Sequence, residues 1–184
     1  VSDTLIVKLS VPEEHRNPQM ETYLRARAAD GYDILDAGTP EGSSTKRNRA
    51  VVHFLRGTWD RLIMLDAKAV MVTAAEPLLE ATESIAYCKA LTKTGTVAHG
   101  GGFSMAAVSI ARPVFESIEP PWFAHTTGPT GTQQQMCDCA YFREKAAAKG
   151  YNPVCVGAVG RLIQSIAHLD DDGNVVSKPV TMIW

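Results

Sequence analysis

Short apolar runs alternate with amphipathic stretches along the first third of the chain. Thr4–Leu9 (TLIVKL) is mostly apolar and stops at Ser10-Val11-Pro12, which predicts a buried strand closed by proline. Gln19–Ala29 predicts a helix, with Gly31 as its stop. Tyr32–Leu35 (YDIL) predicts a second strand, and Gly38–Ser44 (GTPEGSS) a loop. Thr45–Leu55 places Ala50, Val51, Phe54 and Leu55 on one side of a second helix. Arg61–Leu65 (RLIML) predicts a third strand that runs into Asp66. Strand, helix, strand, helix, strand is the order of a parallel three-layer α/β sheet.

The rest of the chain is more mixed. Pro77–Leu91 reads as helical, with Leu78, Thr82, Ile85 and Leu91 roughly on one side. Val97 and Phe103–Ile110 give strand material around His99-Gly100-Gly101-Gly102, and Arg112–Ile118 gives a short helix. Pro120–Thr132 reads as loop, and Cys137–Lys149 as a helix closed by Gly150. Val154–Val156 and Leu162–Ile166 are late strands. Asp170–Asn174 (DDDGN) is a polar turn after which Val175–Ile183 closes a hairpin. Antiparallel additions to the sheet are therefore expected in this half.

Composition narrows the class. A length of 184 residues suits one domain, and 45% hydrophobic with 21% charged residues excludes wholesale disorder. A net charge of −2 lacks the footprint of a protein that grips nucleic-acid backbone. No apolar stretch reaches the ~20 residues of a membrane span, and the first residues lack the pattern of a signal peptide. Four cysteines (Cys88, Cys137, Cys139, Cys155) are few for a disulfide framework, and Cys137-x-Cys139 has no second pair at zinc-finger spacing. A reduced, cytoplasmic protein is expected.

In an open parallel sheet, ligands sit beyond the carboxyl ends of the strands. Ser10-Val11-Pro12, Ala37-Gly38 and Asp66-Ala67-Lys68 meet that rule. A carboxylate at the end of a strand can hold a hard cation or a ribose hydroxyl, or serve as a helix cap. Neither a P-loop nor a Gly-x-Gly-x-x-Gly run after the first strand is present. His99–Ser104 is glycine-rich, but an oxyanion loop and a nucleophile elbow are well separated in hydrolases rather than fused.

Five segments stand in a set order. The first strand ends in the proline turn Ser10-Val11-Pro12. A helix carries Lys46-Arg47-Asn48-Arg49-Ala50-Val51, and an apolar strand ends in Leu65-Asp66-Ala67-Lys68. Gly100–Phe123 (GGGFSMAAVSIARPVFESIEPPWF) runs from a glycine-rich strand through a short helix to an aromatic loop. Cys137–Phe142 opens a helix ending in Lys149-Gly150-Tyr151, and a strand ends in Ala167-His168-Leu169. In this order, over about residues 4–170, the chain resembles the GT-A glycosyltransferases, close to the family-2-like group.

The resemblance implies an α/β three-layer sandwich with a mainly parallel central sheet and antiparallel additions in the second half. It implies one domain over residues 1–184, with a nucleotide-binding half (1–68) and an acceptor and catalytic half (69–184). The implied reaction moves a sugar from a nucleoside-diphosphate donor to a carbohydrate or other hydroxyl acceptor. Ser10, Val11, Arg47, Asp66, Lys68, Gly101, Gly102 and Trp122 would hold the nucleotide-sugar. Asp138 would take the acceptor proton, and Asp66 and His168 would hold Mn²⁺ or Mg²⁺. Trp122 reads equally as a sugar-stacking wall or a buried loop anchor.

Two positions depart from the family. Lys68 replaces the second carboxylate of the family's Asp-x-Asp, and Cys137 replaces a glutamate. An ammonium in place of a carboxylate removes a metal ligand and adds positive charge, so the cation site is weakened. The alternatives are a non-catalytic nucleotide-sugar-binding module that kept the fold, and a nucleotidyltransferase-like α/β domain. Acceptor choice would fall to the Glu119–Gln135 loop, to a second copy of the chain or to a partner subunit.

Overall fold

A computed structural model describes residues 3–9, 17–38, 42–67, 69–70, 72–91, 103–127, 134–161, 165–169 and 175–179. The elements are β1 (Thr4–Leu9), α1 (Pro18–Ala29), β2 (Asp33–Asp36), α2 (Ser43–Arg56), β3 (Arg61–Asp66) and β4 (Ala69–Val70). A 3-10 helix (Val72–Leu78), β5 (Ile85–Leu91), β6 (Ala107–Ala111), α3 (Arg112–Ser117), β7 (Thr126–Thr127) and β8 (Gln134–Met136) follow. The last are α4 (Asp138–Ala147), β9 (Val154–Arg161), β10 (Ser165–Leu169) and β11 (Val175–Pro179).

Among the described residues, seven strands form the central sheet, in the order β2-β1-β3-β6-β5-β9-β4. β1 pairs in parallel with β2 and β3, and β5 with β9; β6 runs antiparallel to both β3 and β5, and β4 antiparallel to β9. β2, β1, β3, β5 and β9 therefore point one way, and β6 and β4 the other. The expected α/β architecture, mainly parallel with antiparallel additions late in the chain, is the observed one.

Alternation along each strand divides the core into two layers. Leu5, Val7 and Leu9 of β1, with Leu62 and Met64 of β3, face α2, α3 and α4. Ile6, Ile63 and Leu65 face α1 and the 3-10 helix. The α2 residues Ala50, Val51 and Phe54 are buried, as their spacing predicts. Phe115 meets Phe54 and Phe142 with ring centroids 5.9 Å apart in each case, tying α3 to α2 and α4. Gly31 (φ 91°) and Gly150 (φ 85°) take left-handed backbone just beyond α1 and α4, where a side chain would be strained.

One element differs from its sequence reading. Pro77–Leu91 is not a helix: the 3-10 turn ends at Leu78 and residues 85–91 form β5. β5 lies between β6 and β9 and is buried on both faces, so IAYCKAL carries no clean alternation. The loop Pro120–Thr132 contains β7, paired with β8. The expected hairpin is present as β10 and β11, while its turn, 170–174, lies outside the described residues. Val97 and Leu162–Gln164 also lie outside them.

Candidate active site

The parallel strands end in charge. Lys8, near the end of β1, is buried and forms 2.8 Å ion pairs with Glu21 of α1 and Asp36 of β2. Burial alone would lower its pKa, but the bonds and charges of Asp36 and Glu21 outweigh it and raise the value. Asp66 ends β3 and donates its backbone N–H to the Ala106 carbonyl at 2.8 Å. That contact brings the segment leading into β6 to the same edge of the sheet.

A cleft of about 280 Å³ opens there. Asp66, Ser43, Arg47, His125, Cys137 and Asp138 are among its lining residues, with Ser104–Ala106 forming another wall. Asp138 is its electrostatic centre. It stands in the first turn of α4, and its Oδ2 accepts from Ser43 Oγ (3.0 Å) and Ser44 Oγ (3.3 Å), both at the start of α2. The same oxygen pairs with the Arg47 guanidinium, and the side chains of both ions are under a tenth exposed. Among the described residues, the N-cap Gly42 gives α2 no side-chain cap and its first turn has no acidic side chain. Asp138 thus supplies negative charge to the positive ends of two helices.

His125 completes the group. Its Nε2 lies 3.4 Å from Ser43 Oγ and 3.8 Å from Asp138 Oδ2. The loop bearing it is fastened by Asn48, next to Arg47 on α2. Asn48 Oδ1 accepts from the backbone N–H groups of Trp122 and Phe123, each at 3.1 Å, and its Nδ2 donates to the Phe123 carbonyl at 2.8 Å. Lys145 of α4 donates to the Glu119 and Pro121 carbonyls of the same loop, whose Pro120–Pro121 bond is cis. The run Lys46-Arg47-Asn48 therefore does two tasks within one turn: Arg47 pairs with Asp138, and Asn48 holds the aromatic loop.

The structure brings Arg47, Asp66 and Asp138 of the expected site residues together in the cleft. Trp122 is elsewhere. It is 8% exposed, its Nε1 donates to the Phe115 carbonyl at 3.0 Å, and its ring meets Phe115 edge-on. Its place is that of a buried loop anchor, not a wall of this cleft. Ser10, Val11, Lys68, Gly101 and Gly102 lie outside the described residues. His168 lies on β10, opposite Val176, and its side chain is outside the described part. Among the described residues no three His, Cys, Asp or Glu side chains gather as a metal site. Of the two residues expected to hold a cation, Asp66 is the one whose side chain is described, so no chemical step is assigned to a metal.

Ser43, Ser44, His125 and Asn48 were not singled out from sequence as site residues. Their signal was weak but present: two serines close a Gly- and Pro-rich loop at a helix start. Among the described residues, no helix is long and apolar enough to cross a membrane.

No protein-family model matches the chain, and no curated protein sequence matches it. Among solved structures it is similar to A197 from STIV, with a TM-score of 0.58 and 14% identity, over 98% of this chain and 96% of that one. A glycosyltransferase involved in the glycosylation of the major capsid of PBCV-1 overlaps with a TM-score of 0.45 and 10% identity, over 84% of this chain and 81% of that one. A putative nucleotide-diphospho-sugar transferase from Desulfovibrio desulfuricans G20 overlaps with a TM-score of 0.43 and 9% identity, over 88% and 82%. At such identities the likeness to A197 is one of fold: nearly the whole length of both chains shares one architecture.

Proposed function

We propose that the chain is a glycosyltransferase that moves a sugar from a nucleoside-diphosphate donor to a hydroxyl acceptor. The observation that carries this reading is the meeting of Asp66 and Asp138 in one cleft at the carboxyl end of β3. Ligands of open α/β sheets bind at such an edge. Sugar transfer passes through an oxocarbenium-like state and gains from a carboxylate that takes the acceptor proton, typically by ~10²–10⁴-fold. In this proposal Asp138 is that base and Asp66 faces the donor. Arg47 sets the direction of the Asp138 carboxylate, and a donor diphosphate adds its negative charge beside them. If a divalent cation takes part, it neutralises that diphosphate.

One observation favours a second reading, a nucleotide-sugar-binding module without turnover. Asp138 Oδ2 already accepts from Arg47, Ser43 and Ser44, so this oxygen is held by bonds within the fold rather than turned to an acceptor hydroxyl.

The test is calorimetric titration with nucleoside diphosphates and nucleotide-sugars, with and without Mn²⁺, beside an assay of donor hydrolysis and transfer. Donor binding with turnover supports the enzyme, and binding without turnover supports the module. Absence of binding rejects both. Asp138→Asn is expected to leave donor binding within about threefold and to lower transfer at least ~10²-fold. Transfer that survives in Asp138→Asn removes Asp138 from the base role.

A further inference from the structure

Cys137 and Cys139 stand on either side of Asp138, line the same cleft and have no part in the reaction above. Cys137 is the N-cap of α4, and its Sγ accepts the Ala140 backbone N–H at 3.4 Å. Burial above all, and then the neighbouring Cys137 side chain, push the Cys139 thiol up to about 12. The Cys137 sulfur is half-buried and Cys139 is buried. Residues two apart span at most ~7 Å between α-carbons. Disulfides usually bridge ~4.4–6.8 Å, so this spacing lies within reach of one. The other thiols are elsewhere: Cys88 is buried on β5 and Cys155 exposed on β9.

We propose that Cys137 and Cys139 form a reversible dithiol–disulfide site within the cleft, oxidised by a small disulfide of the glutathione type. Cys137, as thiolate, attacks one sulfur of the oxidant; the oxidant's S–S bond breaks, a mixed disulfide forms and one small thiol leaves. Cys139 gives up its proton and attacks the Cys137 Sγ, breaking the mixed disulfide and releasing the second small thiol. Two cysteine thiols are oxidised, one small disulfide is reduced to two thiols, and the protons lost by the cysteines are carried off on those thiols. Cys139 enters only at the second step, which suits a thiol that holds its proton tightly. The ring closed across so short a segment is strained, and strained disulfides are the readily reduced ones. Asp138 lies inside that ring, so its approach to Arg47, Ser43 and Ser44 differs between the two redox states.

The experiment uses the full chain carrying Cys155→Ser, which removes the exposed competitor. It is incubated with oxidised glutathione and analysed by intact mass and non-reducing peptide mapping. The expected product has lost two hydrogens, maps to a bond between Cys137 and Cys139, leaves Cys88 reduced and reverts with dithiothreitol. Adding Cys139→Ser should stop the reaction at one glutathione on Cys137. The Asp138 amide resonance should shift on oxidation while those of β1 stay in place. A stable glutathione adduct on Cys137 with Cys139 still free overturns the proposal. So does a bond from either cysteine to Cys88, or no reaction at Cys137. None of these readings depends on sugar transfer.

Discussion

Arg47 and Asp138 show what burial does to an ion pair. With side chains 7% and 8% exposed, neither ion has much water to fall back on. Removing one partner of a buried pair typically costs about 3–5 kcal/mol, whereas replacing both with apolar groups of similar volume is often neutral. Arg47→Met and Asp138→Leu should therefore each lower the urea midpoint strongly, with Asp138→Leu losing the Ser43 and Ser44 bonds as well. The double variant should cost less than the two single losses combined. Strictly additive losses in the cycle would show that the pair is not coupled. The resemblance pointed to Arg47 and Asp138 separately but not to their pairing, because they stand 91 positions apart in sequence. Ser43 and Ser44 reach Asp138 across similar separations, 95 and 94 residues. Such contacts are made by the fold, not by local pattern. Trp122 makes the same point in reverse: an aromatic residue in a loop looks alike in sequence whether it faces a ligand or the core.

At the scale of elements, the C-terminus of α2 is closed from outside by Arg112, the first residue of α3. Its guanidinium donates to the carbonyls of Trp59 (2.7 Å), Gly57 (2.8 Å) and Phe54 (3.0 Å), and it lies 4.7 Å from the centre of the Phe54 ring. The Gly57 and Trp59 carbonyls lie just beyond the last turn of α2, and the Phe54 carbonyl also accepts the Gly57 N–H at 3.1 Å. Arg112→Ala should destabilise the fold by about 1.5–3 kcal/mol, the range for hydrogen bonds to a charged group. Arg112→Lys should recover only part of this, since one ammonium cannot span the carbonyls a planar fork reaches. A melting temperature unchanged in Arg112→Ala would mean that water satisfies those carbonyls equally well. The helices themselves were legible. α2 shows its buried stripe in sequence, and Gly31 and Gly150 mark the ends of α1 and α4. β5 was not legible, because Leu78, Thr82 and Ile85 happen to keep helical spacing while a strand buried on both faces shows no alternation. The site depends on this element through β6, which β5 flanks, and through Tyr87, whose ring meets Phe103 with centroids 5.1 Å apart.

For the whole molecule, the first half of the sheet follows from chain order, since β1, β2 and β3 are neighbours joined by helices. The second half does not: β6 inserts between β3 and β5, and β9 reaches β5 across more than 60 residues. The antiparallel entry of β6 is what places Ser104–Ala106 beside Asp66 and gives the cleft its second wall. The layering also sets the response to alkali. Burial raises the Cys88 and Cys139 thiols from an ordinary 9.0 to about 12, and burial with the nearby Glu76 charge raises Tyr23 from 10.0 to about 12. Lys8 is raised above 10.5 by the net effect described above. In each case the folded chain holds its proton more tightly than the unfolded chain. Between the unfolded and folded values the native state therefore carries more protons, and stability falls as pH rises. These contributions are fully present below the unfolded values and are lost through the folded ones. Urea unfolding in a reducing buffer should show a plateau near neutrality and a decline beginning at about pH 9, steepening as Tyr23 and Lys8 join the thiols. Cys88→Ala should lower stability at pH 7 through the lost packing, yet make the alkaline decline shallower. Equal unfolding midpoints at about pH 8 and 11 would show that these four groups are not held in the protonated state by the fold.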